Sequence, residues 1–239
     1  IVKERESALN LIESKVQGMD EWLDRRMGEI QLAAKTEVMQ SDDPQRIFPF
    51  LKQIQEQSPV YEEVIYARAN GLTAANSSGS SIGVNITDRS YYIKAMQGES
   101  SYSEVLISKG TGNRIIIVAA PVKAADGNII GVLFGTANFE TLVNTFLKQT
   151  GQDGTFQSSN ILLIDEQNRI QASQVTDDIG KTIDEAGFDE TLKAIVEKGK
   201  TEAATEIYRS PEGKEYLVAF APVERTGYGF YQLVPIENI

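Results

Sequence analysis

The sequence predicts an α+β protein in which one long N-terminal helix precedes two antiparallel-sheet modules built alike. Three features of the chain carry this. Apolar residues recur at helical spacing through the first forty positions, with no proline before Pro44. Past residue 60 the period switches to strands separated by Gly, Asn and Asp turns. Motifs of the first half then return in the second half at an almost constant offset.

The first helix is read from Leu9, Ile12, Val16, Met19, Leu23, Met27 and Ile30, which place one apolar stripe along its length. Such a helix extends to about 50 Å at 1.5 Å per residue, more than a small domain needs. The stripe fits a core-packing helix, and its 3-4 spacing equally fits a stalk that pairs with a second copy. After Pro44 a shorter helix is expected through Phe48 to Ile54.

Val64 to Ala67 reads as a strand, Asn70-Gly71 as a tight turn and Leu72 to Ala75 as the returning strand. Asn76 to Gly83 is a Ser/Gly loop, and Asp88 to Gln97 a short helix capped by Asp88 or Thr87. Strands follow over Tyr102–Ile107, Arg114–Val122 and Ile129–Ala137, joined by turns at 109–113 and 125–128. Phe139 to Gln149 returns to helical spacing, and Thr150 to Ser159 is a Gly/Ser/Gln loop suited to divide two modules.

The repeat follows the chain order. Val64-Ile65-Tyr66 aligns with Ile161-Leu162-Leu163, and Ile82-Gly83-x-x-Ile86 with Ile179-Gly180-x-x-Ile183, both at an offset of 97. Lys94-Ala95-Met96 aligns with Lys193-Ala194-Ile195 at 99, and Ala120-Pro121-Val122 with Ala221-Pro222-Val223 at 101. The division that results is a stalk helix over 1–43, a first module over 44–158 and a second over 159–239.

Composition narrows the function. The chain carries 23 Lys and Arg against 34 Asp and Glu, a net charge of -11, so it presents no basic field for nucleic acid. It contains no cysteine and no histidine. Thiol nucleophiles, imidazole bases, His/Cys zinc sites and His-ligated haem are therefore excluded, and an enzyme is not expected. No cofactor or metal site is expected either. Asp42-Asp43 and Asp177-Asp178 read as solvated or capping acids, and the Gly-rich segments lack phosphate-loop spacing. No apolar run is long enough to span a membrane.

The long helix with its two repeats resembles the double Cache (tandem PAS-like) sensor domain of bacterial chemoreceptors and sensor histidine kinases. The most specific residues are Asp88-Arg89-Ser90-Tyr91-Tyr92-x-x-Ala95, and Ala120-Pro121-Val122 followed by Gly127-x-Ile129-x-Gly131-Val132-Leu133. The resemblance implies an extracytoplasmic ligand sensor of an inner or plasma membrane receptor, anchored by flanking segments and acting as a homodimer. Chemotaxis is the favoured output, with a histidine kinase as the alternative. The ends, Ile1-Val2-Lys3-Glu4 within a helical pattern and Pro235–Ile239 just after a strand, suit such flanking segments.

The family's ligand usually sits in the membrane-distal module, here the first, where an Arg and nearby aromatics hold its carboxylate. Arg89, Tyr91 and Tyr92 supply that set, and a guanidinium offers a carboxylate a bidentate fork. From short-helix spacing alone, Arg89 reads as a surface charge and the tyrosines as core. The second module has Gly187-Phe188-Asp189-Glu190 at the corresponding place and no Arg.

Amino-acid sensors of the family hold an ammonium with a Tyr-x-Asp pair and a further Asp on the last strand. Those positions fall here on Leu106, Ser108 and Thr136. An ammonium buried without a counter-charge is costly. The expected ligand is therefore a small organic acid without an amino group, with Ser108 and Thr136 serving a hydroxyl or keto oxygen and Leu106 a methyl. Tyr66 is a further expected pocket wall and Tyr102 another, unless they are plain core packing. The competing expectations are an amino-acid or amine sensor of the same family, and a ligand-free module that senses a partner protein.

Overall fold

The computed structural model describes residues 1–148 and 160–239. The expected dividing loop, Thr150 to Ser159, lies outside them. The order of elements is α1 (Val2–Ala34), α2 (Glu37–Gln40), α3 (Pro44–Gln57), β1 (Tyr61–Arg68), β2 (Thr73–Asn76), α4 (Ser90–Met96), β3 (Ser101–Tyr102), β4 (Leu106–Ile107), β5 (Arg114–Lys123) and β6 (Ile129–Asn138). A short α5 (Phe139–Leu142) runs into a π-helical turn at Val143–Leu147. The second half supplies β7 (Asn160–Ile164), β8 (Ile170–Ser173), α6 (Glu190–Gly199), β9 (Ala204–Arg209), β10 (Glu215–Val223) and β11 (Tyr228–Pro235). No helix of the described residues is long and apolar enough to cross a membrane.

Two compact units result, one of Trp22–Leu142 and one of Ile1–Glu21 with Val143–Ile239. The stripe along α1 is core: Ile12, Met19, Leu23 and Ile30 are fully buried, and Val16 nearly so. In the first unit Tyr102 donates from its hydroxyl to the Leu23 carbonyl at 3.0 Å. In the second unit the Asp20 carboxylate accepts from the backbone N–H groups of Glu224 and Arg225.

Both sheets are antiparallel and ordered alike, β2-β1-β6-β5-β3 with β4 also on β5, and β8-β7-β11-β10-β9. The repeat read from the sequence is a repeat of hydrogen bonds. Gly83 N–H donates to the Thr73 carbonyl and Gly180 N–H to that of Ile170, each at 2.8 Å. Ile86 N–H donates to Gly71 O and Ile183 N–H to Asn168 O, each at 2.9 Å. Gly83 and Gly180 both hold positive φ, of 78° and 92°, which explains a glycine at the same point of each copy.

Three local expectations give way. The expected strand Tyr102–Ile107 is broken into β3 and β4, because the Ser103 hydroxyl takes the Ile117 N–H that a continuous ladder would use. Helix α4 begins at Ser90 with Arg89 as its N-cap residue and no side-chain cap bond. Asp88 does not cap it, being paired with Lys109 at 2.7 Å, while Thr87 turns back onto Asn85. Only Phe139–Leu142 of the last expected helix is α-helical, and the chain widens to the π-turn after it.

Alternation along β1 sends Ile65 and Ala67 to the face covered by α4 and Tyr66 to the opposite face. Tyr66 is thus not a pocket wall. Its hydroxyl donates to Asp42 Oδ1 at 2.8 Å, and Arg68 Nε holds the same oxygen at 3.1 Å. Gly131 makes this possible, since a Cβ there would stand 2.4 Å from the Ala67 carbonyl oxygen and 2.6 Å from the Tyr66 ring. Gly131→Ala is expected to lower stability by about 2 kcal/mol or more in urea denaturation, because backbone is one of the clashing partners.

Lys15 of α1 is buried with no acid beside it among the described residues. Its Nζ reaches Gln232 Oε1 at 3.4 Å and stands 5.9 Å from the centre of the Phe230 ring. Burial pulls its pKa down to about 8. Between about pH 8 and the ordinary lysine value of 10.5 the unfolded chain therefore holds a proton that the folded chain has released, so stability rises with pH across that window. Lys15→Met is expected to flatten that rise and to stabilise the protein at pH 7 by about 2–3 kcal/mol, read by denaturation at pH 7 and pH 10.

Candidate functional site

The first unit contains a cavity between the inner face of its sheet and the segment that leads into α4. Counting the part open to solvent, its empty space is about 390 Å³. Ile65, Ile86, Ile115, Ile117 and Phe134 form a buried apolar floor. Ser81, Val84, Arg89, Leu106, Lys109 and Gly110 stand on the solvent side.

The second copy packs the corresponding row differently. In the first sheet Phe134 pairs with Ala119, whereas in the second Tyr231 pairs with Phe220. Those two rings lie 6.4 Å apart in the core, where the first copy has a ring and an alanine. Phe188 packs on that core near the place where the first copy has Arg89.

Five of the seven residues read from the sequence line the cavity: Arg89, Tyr91, Leu106, Ser108 and Thr136. Arg89 is half-buried at the start of α4, and one nitrogen of its guanidinium donates to the Ile107 carbonyl at 3.0 Å. The remaining donors of that fork are available to a ligand anion. Tyr91 stacks against Phe134 with ring centres 5.0 Å apart. Its hydroxyl has no hydrogen-bond partner among the described residues, and burial pushes its pKa up, so it remains a donor.

Tyr92 and Tyr66 do not line the cavity. The Tyr92 hydroxyl donates to the Ala69 carbonyl at 2.8 Å, and Tyr66 is held by Asp42 on the other face. Tyr102 is likewise committed to α1. Two of the lining hydroxyls are partly spent. Ser108 Oγ accepts from the Gly110 and Thr111 N–H groups at 3.2 and 3.1 Å, which leaves its hydrogen to donate. Thr136 Oγ1 accepts from Glu63 N–H at 3.1 Å and donates to the Glu63 carbonyl at 3.3 Å.

Glu63 is the lining residue that sequence reasoning missed. Just past a bulge between Tyr61 and Glu63, alternation with Ile65 places it on the inner face beside Thr136, and it is only 4% exposed. Asn76 Nδ2 and Ser78 Oγ donate to its Oε2 at 2.5 and 3.2 Å. The expectation of a ligand without an amino group rested on a cavity with no acid, and Glu63 removes that ground. Its parity with Ile65 and Ala67 was the available signal.

A short strap roofs the cavity. It is the turn from Ser108 to Asn113, closed by Ser108 N–H to Asn113 O at 2.9 Å. On one side Lys109 Nζ bonds the Asn85 carbonyl and the Asp88 carboxylate. On the other, Thr111 Oγ1 and Asn113 Nδ2 donate to the Glu62 carboxylate. Gly110 passes so close that a Cβ would stand 3.0 Å from Ser81 Oγ and 3.1 Å from Glu63 Oε1. Among the described residues no cluster of acids could hold a metal ion.

Solved structures with the same fold are sensor domains. The ligand-binding domain of the Pseudomonas fluorescens chemoreceptor CtaA, in complex with L-serine, superposes with a TM-score of 0.74 at 20% identity, covering 99% of this chain and 100% of that one. The Vibrio cholerae histidine kinase DctB sensor domain gives 0.68 at 18%, covering 96% and 98%. The ligand-binding domain of the Pseudomonas aeruginosa amino-acid chemoreceptor PctC, in complex with GABA, gives 0.73 at 18%, covering 98% and 100%. At such identities the likeness is one of fold. No curated protein matches the chain in sequence. The profile of the Cache domain family, in its dCache_1 form, matches residues 3–239, and with the two copied sheets this chain belongs to that family.

Proposed function

We propose that this chain is the extracytoplasmic sensor of a membrane-anchored receptor, and that its first unit binds a small organic acid in the cavity under the strap. The observation that carries this is the pairing of Arg89 with the unpartnered Tyr91 hydroxyl at a mostly apolar cavity. A half-buried guanidinium with donors to spare and a phenol with no protein acceptor both call for an anion. The apolar floor suits a short aliphatic body, and Ser108 retains a donor for a second ligand oxygen. The site binds and catalyses nothing, as the absence of His and Cys from the chain supports.

Output follows by population shift, because a ligand moves a conformational equilibrium only by its difference in affinity for the two states. A chemoreceptor is the favoured context and a histidine kinase the second, with the receptor acting as a homodimer. Chemoreceptor and kinase sensor domains both occur among the proteins of like fold.

A thermal-shift screen of the purified chain against small organic acids tests the reading. An acid at 100 times its dissociation constant is expected to stabilise the protein by about 2.7 kcal/mol, raising the melt by a few degrees. Arg89→Ala is expected to abolish that shift while leaving the unliganded melting temperature nearly unchanged. A shift that survives Arg89→Ala would rule the site out.

The two adjacent tyrosines separate binding from folding. Tyr91→Phe is expected to weaken the acid about fivefold and leave stability alone, since its hydroxyl bonds nothing in the protein. Tyr92→Phe is expected to cost about 1 kcal/mol of stability through the lost bond to Ala69 and to leave affinity unchanged. Calorimetric titration and urea denaturation of both variants give the four numbers needed.

A further inference from the structure

Glu63 is the one acid among the residues that line the cavity, and no cationic side chain of the described residues pairs with it. Neither base of the lining bonds it: Arg89 reaches the Ile107 carbonyl, and Lys109 reaches Asp88 and the Asn85 carbonyl. Asn76 and Ser78 fix Glu63 Oε2 and so aim the group. Its Oε1 accepts no hydrogen bond among the described residues and lies beneath Gly110 of the strap. A buried carboxylate so arranged is an acceptor held ready without its counter-charge, an unfavourable arrangement unless something else supplies that charge.

Its place in the sheet is informative. Glu63 pairs with Thr136 across β1 and β6, and Thr136 pairs with Ile117 across β6 and β5. The next row inward is Ile65, Phe134 and Ala119, and Tyr91 stacks on Phe134. The acid therefore stands one strand across from Thr136, where the sequence alignment looked for an acid and found none. It lies one row, two residues or about 7 Å of strand, from the ring that Tyr91 covers. The cavity thus has a cationic and phenolic side and an anionic side, with an apolar floor between them.

We propose that Glu63 selects the ligand. Its carboxylate is the counter-charge for a positively charged nitrogen, which the ligand carries in addition to the carboxylate held by Arg89. The proposal rests on that carboxylate reading and adds a residue and a second charge to it. Loss of the charge on Glu63 removes the preference for the nitrogen, whereas loss of Arg89 removes affinity for every acid.

The test is calorimetric titration of the purified chain with matched probes that differ only by the ammonium. Propionate is set against alanine and β-alanine, and butyrate against 4-aminobutyrate, with the twenty amino acids screened alongside. In the wild-type protein an amine-bearing probe is expected to bind at least about thirtyfold tighter than its amine-free partner. Glu63→Gln keeps an oxygen for Asn76 and Ser78 and removes the charge, so the ratio is expected to fall to near one. Glu63→Asp restores the charge on a shorter arm and is expected to recover part of the preference, which separates loss of selection from loss of folding.

Amine-free acids that bind the wild-type protein as tightly as their partners would overturn the proposal. So would an unchanged ratio in Glu63→Gln, or the failure of every amine-bearing probe to bind. If amine-bearing probes bind Arg89→Ala undiminished and lose affinity in Glu63→Gln, the selection by Glu63 stands and the carboxylate reading fails instead.

Discussion

Strand β1 meets β6 across 73 residues of chain, and the rows Glu63–Thr136 and Ile65–Phe134 are set by that meeting. The rest of the site is hung on this register. A slip of one residue would exchange the inner and outer faces, sending Tyr66 into the cavity and Ile65 out of it. The register is held from within by the Thr136 hydroxyl, which bonds both the N–H and the carbonyl of Glu63 and so pins the bulge. It is held from outside by Gln55 of α3, whose amide donates to the Glu62 carbonyl at 2.8 Å. Gly131 contributes a close approach that only a residue without Cβ permits.

One backbone plan serves two purposes in this chain because a few side chains differ. Both copies fold the same antiparallel order and place a glycine at the same left-handed turn. In the second copy the row opposite α6 is closed by Phe220 and Tyr231, and the Tyr231 hydroxyl donates to the Val196 carbonyl of the helix. Gly199 admits that ring, since a Cβ there would stand 2.3 Å from it. In the first copy the row carries Ala119 and Phe134, and Tyr91 packs on Phe134 with its hydroxyl unspent. A filled copy gains packing and a cavity-bearing copy forgoes it, since interior voids lose dispersion contacts outright.

The repeat was legible because it is written in residues whose backbone role is strict: the Gly at the turn, the Ile after it and the Pro in the later strand. The strands themselves were legible from their turns. What the sequence hid was which face of β1 each residue takes, because Val64 to Ala67 is apolar throughout and gives no alternation to follow. Read without that alternation, Tyr66 is expected in the cavity and Glu63 is not, and the structure reverses both. The Tyr91-Tyr92 pair was indivisible for a similar reason. Neighbours on a helix point about 100° apart, and only the tertiary contacts show which hydroxyl is spent on Ala69 and which is free.

The adjacent acids Glu62 and Glu63 tie the strap and the cavity wall to one short stretch of backbone. Glu62 faces outward and binds the strap through Thr111 and Asn113, while Glu63 faces inward beneath Gly110. The far side of the strap is tied by Lys109 to the segment that begins α4, the segment that also carries Arg89. Roof, floor and the Arg89 end of the cavity therefore share attachments. The tethers of the strap are exposed polar contacts, which contribute little individually. The pinned bulge beneath them is buried and doubly bonded. On the proposed reading, a roof held weakly over a rigid floor lifts to admit a ligand at small cost, and contacts with Arg89, Tyr91 and Glu63 decide how firmly it closes.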